Sequence, residues 1–327
     1  MSDPPPSQQM QCMEVWGGSQ LTSAGVEFGG LDAWVYSKPY GQAKAGGDVY
    51  YASSCATGRI SRLLLADVSG HGNAVAATAA DLRTLMRRFV NRLDQTEFVR
   101  LLNRQFLELS EGGTFATAIV STFFEPSRRL TVCNAGHPRP LMYHAAQKRW
   151  DFLGHHSLEA GVKSTPSNIP LGLIDVSEYE QFDVELEPGD CVVSYTDALI
   201  ESRDADGKDL GEAGVLRIVR HLGDVPPDKL TATLLKEIAD RHPDNLSDDD
   251  VTVLVVRANG RPPGHSMREK FGAAIRLVLS VIAAINPKAE RPPLPDANLA
   301  NIGGAFIPAL GKRWRAKRSL VERSPEV

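Results

Sequence analysis

Apolar residues in this 327-residue chain fall into short strand-like runs, interrupted twice by longer stretches of helical period. Residues 31–37 and 49–55 read as strands around a Gly-rich turn. Residues 59–68, with Leu63-Leu64-Leu65-Ala66 at their centre, and residues 191–196 are apolar without alternation, the pattern of a buried strand. Residues 115–124, 129–134, 140–143 and 149–153 are short strand candidates separated by turn residues, and residues 179–186 alternate. Between these blocks, residues 73–93 predict a helix, Ala-rich at first, with Asn73 as N-cap. Residues 96–109 predict a second, amphipathic helix that Gly112-Gly113 stops. A second helical pair is expected over 214–222 and 227–242, and residues 251–256 close the pattern as a strand. Residues 155–168 have weak periodicity and read as a loop. Strands at both ends with helices inserted in pairs predict an α+β fold with antiparallel sheets.

The pattern changes at both ends. Residues 1–11 are proline-rich and polar, with neither the basic nor the apolar region of a signal peptide, so residues 1–25 are expected as an N-terminal tail. Residues 26–258 are expected as the folded domain and 259–327 as a C-terminal extension. Arg261-Pro262-Pro263-Gly264 and Arg291-Pro292-Pro293-Leu294-Pro295 read as linkers. Between them, residues 271–285 are apolar but carry Arg276, and they are shorter than the roughly 20 residues that span a bilayer. They read as a helix for docking or homodimer formation, with a membrane-associating helix as the alternative, and the expected location is cytoplasmic.

Charge sharpens this division. Residues 261–327 hold 12 Lys and Arg against 5 Asp and Glu, a balance of +7. The rest holds 24 against 35, a balance of −11, which returns the net −4 of the whole chain. An acidic body argues against a nucleic-acid substrate. The basic end sets Phe306, Ile307, Leu310 and Trp314 beside Lys312, Arg313, Arg315, Lys317 and Arg318. That combination suits a solvated end, a peripheral anionic membrane surface or an acidic partner. Cys12, Cys55, Cys133 and Cys191 are widely spaced, form no CxxC pair and suggest neither disulfides nor zinc.

The candidate chemistry is acidic. Gly46-Gly47-Asp48, Asp67-Val68-Ser69-Gly70-His71-Gly72, Tyr195-Thr196-Asp197-Ala198 and Asp248-Asp249-Asp250-Val251-Thr252 each put an aspartate at the start or end of a strand-like run. Carboxylates brought to one point repel unless cations neutralise them. Mg²⁺ and Mn²⁺ favour such oxygen ligands, and a pair of them activates water for displacement at phosphorus. There is no GxxxxGK[ST] loop for ATP and no CxxxxxR loop for a cysteine nucleophile.

These motifs, with Asn134-Ala135-Gly136-His137-Pro138 and Pro170-Leu171-Gly172 between them, resemble in order and spacing the metal-dependent PP2C-type serine/threonine phosphatases, and among them the bacterial SpoIIE/RsbU-like branch. The resemblance spans about residues 31–256. It implies two packed antiparallel β-sheets flanked by helices, an αββα sandwich, with two Mn²⁺ or Mg²⁺ ions in a cleft at one end. It implies Asp48 and Asp67 as ligands at the catalytic centre, the backbone carbonyl of Val68 as a third, and Asp197 at the second ion. Many relatives have glycine where Val68 stands, which a carbonyl ligand tolerates. In the closing run the alignment picks Asp249, with Asp250 as the fallback. His71 is expected either as proton donor to the leaving serine oxygen or as an orienting residue, and Asn134 and His137 as shapers of the cleft floor.

The activity so implied is hydrolysis of phosphoserine or phosphothreonine on a protein, in bacterial signalling a phosphorylated anti-sigma-factor antagonist or a similar regulator. The alternative is a pseudophosphatase that binds phosphoproteins without turnover, which a missing ligand aspartate would favour. Hydrolysis of a small phosphorylated metabolite is a third reading.

Overall fold

In a strand, successive side chains point to opposite faces, so an uninterrupted apolar strand needs cover on both sides. The computed structural model supplies that cover in four layers. It describes residues 7–9, 15–54, 58–70, 72–89, 94–109, 113–154, 168–175 and 178–261. The elements are β1 (Ser7–Gln9), β2 (Val15–Gly18), β3 (Thr22–Glu27), β4 (Leu31–Lys38), β5 (Asp48–Ser54) and β6 (Ile60–Val68). Then follow α1 (Ala76–Phe89), α2 (Gln95–Leu109), β7 (Ala116–Phe124), β8 (Arg129–Ala135), β9 (Leu141–His144), β10 (Arg149–Phe152) and β11 (Gln181–Glu185). The last are β12 (Cys191–Tyr195), α3 (Ala198–Glu201), α4 (Gly211–Leu222), α5 (Pro227–Ala239) and β13 (Val251–Ala258).

The first sheet has the order β1-β3-β4-β13-β12-β9-β10 and the second β11-β8-β7-β6-β5-β2. Every pairing is antiparallel except β1 with β3. Three apolar cores fill the three interfaces. Leu63, Leu65, Ile119, Val192 and Leu254 are among those packed between the sheets. Leu64, Ala66 and Val68 turn the other way, onto Leu82 and Met86 of α1 and Phe98 and Phe106 of α2. Val193, Val253 and Val255 turn onto Val215 and Val219 of α4 and Leu234 and Ile238 of α5. The α+β sandwich expected from the sequence is therefore the observed architecture.

Several boundaries move. The first helix begins at Ala76, not at an Asn73 cap, because Gly72–Ala74 form a tight 3₁₀ turn closed by the bond from Val75 N–H to the Gly72 carbonyl. The helix α4 starts at Gly211, and α5 ends at Ala239. Three short strands escaped the sequence reading, and all lie in or next to the expected tail. β1 pairs with β3, β3 with β4, and β2 with β5. β2 carries two glycines, which hide its strand character. A Cβ on Gly17 would stand 2.5 Å from the Tyr50 carbonyl oxygen, so the glycine permits the close pairing. Residues 155–167 of the expected 155–168 loop, and residues 262–327 of the expected extension, with its candidate helix and basic end, lie outside the described residues. Among the described residues no helix is long and apolar enough to cross a membrane.

Gln95, the first residue of α2, is buried and bonds the helix to the second sheet. Its amide donates to the carbonyls of Val120 (2.6 Å) and Thr131 (3.0 Å), and the Thr122 hydroxyl donates to its carbonyl. Replacing Gln95 by Leu strands these buried groups. It is expected to cost about 1–3 kcal/mol, read as a lowered urea midpoint at unchanged slope.

Candidate metal centre

Strand parity decides where the acidic residues point. In β5, Tyr50 and Ala52 face the inter-sheet core, so Asp48 faces the same way. In β6, Leu63 and Leu65 do, and so does Asp67. Asp48 and Asp67 are direct cross-strand partners. The inter-sheet layer thus ends in two carboxylates, at the edge where the apolar side chains stop. Asp48 is buried, and its carboxyl is held well above the ordinary carboxylate range, first by burial and then by the charge of Asp67. The Thr196 hydroxyl opposes that shift, donating to Asp48 Oδ2 at 2.9 Å while accepting from the Thr252 N–H at 3.0 Å. This bond joins the two sheets directly beneath the site.

The first sheet contributes the remaining carboxylates. Asp197 follows β12 and precedes the single turn of α3, with Glu201 four residues on and so on the same helical face. Asp249 immediately precedes Asp250 and β13. Burial, then Asp197, Asp249, Asp250 and Glu201, push the Asp67 carboxyl up to about 8. Burial and Glu201 raise Asp197, and burial, Asp249 and Asp209 raise Glu201. The charges acting on Asp67 are all carboxylates. Glu201 was not singled out in the sequence. The signal was there in the spacing Asp197-x-x-x-Glu201, which a four-residue helix makes meaningful only once its position is known.

The glycines of the first motif have steric reasons. A Cβ on Gly46 would lie 2.1 Å from Asp250 Oδ1, and one on Gly47 2.7 Å from the Val68 carbonyl oxygen. Any larger residue would separate Asp48 from that carbonyl. The two neighbours in the acidic run differ in use. Asp250 is buried and accepts from the backbone N–H groups of Tyr40, Gly47 and Gly72. Asp249 is half-buried, accepts the Asp250 N–H at 2.7 Å, and acts on Asp67 and Glu201. His71 lies outside the described residues. Among the described residues no three His, Cys, Asp or Glu side chains converge closely enough to hold one ion as they stand. Asp48, Asp67, Asp197, Glu201 and Asp249 line one acidic locus without closing on a point.

The Asn134–Pro138 motif folds into a tight loop beside Thr117. The Asn134 amide brackets its own loop, accepting from the His137 N–H at 2.8 Å and donating to the His137 carbonyl at 2.9 Å. Gly136 has φ +70°, and a Cβ there would strike the Pro170 ring at 2.6 Å, so the two motifs pack face to face. His137 is buried, with Nδ1 2.8 Å from the hydroxyl of Thr117, the residue paired with Asp67 across the sheet. Arg139 is occupied elsewhere. Its N–H and Nε both bind Glu212 at the start of α4, at 2.8 and 2.6 Å, and its guanidinium lies 4.0 Å from the centre of the Phe152 ring.

Burial pulls the His137 imidazole down to about 3, so it is neutral at physiological pH. An unfolded histidine titrates near 6.5, so between these values the unfolded chain binds the extra proton. The His137 contribution is therefore complete above about pH 6.5 and is lost as pH falls toward 3. Urea melts of the protein and of His137→Gln should converge on acidification. Their difference should shrink by about 2 kcal/mol from pH 7 to pH 5. A difference independent of pH would mean that His137 is not buried neutral.

With this geometry in hand, comparison with known proteins is direct. Residues 58–259 match the family model described as Stage II sporulation protein E (SpoIIE). Phosphoserine phosphatase RsbU of Bacillus subtilis (strain 168) is 27% identical over 146 residues, which are 44% of this chain and 40% of that protein. The chain thus matches well under half the length of that relative. The fold is shared with the RsbU and RsbW domains of Rv1364c from Mycobacterium tuberculosis, at TM-score 0.61 and 23% identity over 82% of this chain and 76% of that one. It is shared too with the PP2C phosphatase domain of SpoIIE from Bacillus subtilis, at TM-score 0.54 and 18% identity over 76% and 64%. The sandwich, the order of its acidic motifs and a family match covering more than half of the chain agree: this protein belongs to the SpoIIE family and carries the PP2C phosphatase fold.

Proposed function

We propose that this chain is a metal-dependent protein phosphatase that hydrolyses phosphoserine or phosphothreonine on a regulatory protein of bacterial signalling. The observation that carries the proposal is the Asp48–Asp67 pair at the open end of the inter-sheet layer, ringed by Asp197, Glu201 and Asp249 with no cation among the charges that dominate Asp67. An all-oxygen set of donors, carboxylates with one backbone carbonyl, fits Mg²⁺ or Mn²⁺ better than a softer metal. Asp48, Asp67, the Val68 carbonyl, Asp197 and Asp249 are assigned to hold two such ions. When bound, the ions would supply the Lewis acidity that activates water and neutralises charge at phosphorus.

The protein's own residues do the rest. Thr196 orients Asp48 by its hydrogen bond and ties that orientation to the first sheet. Gly46 and Gly47 let the backbone pass close enough to keep Asp48 beside the Val68 carbonyl. His137 and Asn134 fix the floor below Asp67 through Thr117 and their own loop. Among the described residues no buried thiol competes as nucleophile, since burial pushes Cys133 and Cys191 up to about 12. The relative RsbU is named a phosphoserine phosphatase, which supports the same substrate class here. Residues 259–327 are assigned to targeting or partner binding, in keeping with their basic charge.

Hydrolysis of a phosphoserine peptide should require added Mn²⁺ or Mg²⁺ and vanish with EDTA; full turnover in a chelated sample, or an absolute zinc requirement, would reject the proposal. Asp48→Asn, Asp67→Asn and Asp197→Asn should each lower kcat/KM by at least roughly 10²-fold, about 2.7 kcal/mol of transition-state stabilisation.

Thermal melts provide a second test, independent of turnover. Asp67→Asn removes a carboxyl whose ionisation burial and its acidic neighbours oppose, so in EDTA it should melt higher than the parent, by a margin that grows from about pH 4 to pH 8. The parent should be stabilised by millimolar Mn²⁺, and the variant much less so.

A further inference from the structure

Asp250 is 2% exposed, and each of its oxygens is committed to backbone. Oδ1 accepts the Tyr40 N–H at 2.6 Å; Oδ2 accepts the Gly47 N–H at 2.7 Å and the Gly72 N–H at 3.2 Å. Tyr40 and Gly47 bracket the segment that joins β4 to β5, and Gly72 stands in the turn that follows β6. One side chain therefore closes two loops, one on each side of the Asp48–Asp67 pair. The Gly46 backbone lies directly on the same carboxylate, which leaves no room for a Cβ. Gly47 is held from both sides, because its carbonyl also accepts the Val68 N–H at 3.3 Å. A continuous path runs from Asp250 through Gly47 to Val68, and it ends at the two backbone positions that flank the site.

We infer that Asp250 is a positioning residue and not a metal ligand: it sets the spacing of Asp48 and the Val68 carbonyl by fastening residues 40–47 and the turn at Gly72 to the start of β13. A carboxylate offers about four acceptor positions, and three backbone donors already fill most of them. The adjacent Asp249 accepts the Asp250 N–H, and its charge acts on Asp67 and Glu201. The inference rests on the proposed metal centre for its consequence, but the clamp itself is a matter of backbone bonds.

The test uses the full chain as Asp250→Asn, Gly46→Ala and Asp249→Asn. An asparagine amide cannot accept at both ends, so Asp250→Asn must break either the Tyr40 bond or the Gly47 and Gly72 bonds. Gly46→Ala keeps the carboxylate but pushes it aside. In EDTA, hydrogen exchange at Tyr40, Gly47 or Gly72 should quicken at least about 10-fold in both variants, with the centres of β6 and β7 unchanged. Asp249→Asn should leave those amides as in the parent. With Mn²⁺ and a generic phosphoester, Asp250→Asn and Gly46→Ala should need at least about 10-fold more Mn²⁺ for half-maximal rate and recover as Mn²⁺ is raised. Asp249→Asn should lose rate at every Mn²⁺ concentration. Unchanged exchange at all three amides overturns the inference, as does a loss in Asp250→Asn that excess Mn²⁺ leaves unrelieved. Absence of cooperative melting in both Asp250→Asn and Gly46→Ala also overturns it, since Asp250 would then serve the fold at large. If the parent itself shows no phosphatase activity, the proposed function fails while the exchange data still decide the clamp.

Discussion

Everything at this site follows from strands covered on both faces. When one face of β5 and β6 packs on the other sheet and the opposite face packs on helices, alternation leaves no solvent-facing register for a polar side chain along the strand. Carboxylates enter these two strands only at the rim; the one charge in their interior, Arg62 of β6, is buried over the Phe98 ring and donates to the Thr122 hydroxyl. Asp48 opens β5 and Asp67 stands one residue from the end of β6, both with inward parity, so they meet at the rim of the inter-sheet core. A shift of register by one residue would send both carboxylates into the apolar layer beneath α1 and α2. The apolar packing of the sandwich therefore fixes the positions of the acidic groups without contacting a ligand.

That placement sets packing against electrostatics. Burial and mutual repulsion raise Asp48, Asp67, Asp197 and Glu201 together, and a cluster of this kind would splay if only the strands held it. Hydrogen bonds from neutral groups resist it: Thr196 on Asp48, three backbone amides on Asp250, and the Asn134 bracket below. None of these brings a positive charge, so the scaffold holds the shape of the site while leaving its charge unbalanced. The design suits a centre completed by hard cations, because a resident lysine or arginine would compete with them.

Much of this was legible in the chain. The apolar runs of β6 and β12 announced doubly covered strands, and the glycines and aspartates near strand ends marked the candidate site. What escaped notice had weak or non-local signals. β2 contains Gly17 and Gly18, and β3 is Thr-Ser-Ala-Gly-Val-Glu, so neither shows the apolar period of a strand; their pairing comes from edges that β4 and β5 present to them. Asn73 has the chemistry of a helix cap, but the bond from Gly72 to Asp250, 178 residues away, fixes the turn that precedes α1. Glu201 gains meaning only from a one-turn helix too short to show periodicity. Asp249 and Asp250 are alike as letters; the resemblance ranks Asp249 first, and the three amides around Asp250 are a difference that no letter carries.

The position of β13 bears on how the protein comes into being during synthesis. It is the last strand described, yet it lies in the middle of the first sheet, between β4 near the beginning of the chain and β12. Until residues 251–258 have emerged from the ribosome, β4 and β12 have no shared neighbour, and the α4–α5 layer has no complete sheet to cover. Asp249 and Asp250 enter at the same moment, carried by that strand. A chain that ends before them lacks Asp249, the Asp250 carboxylate that gathers three backbone amides, and the Thr252 N–H that donates to Thr196. The acidic locus is therefore complete only when the first sheet closes around β13.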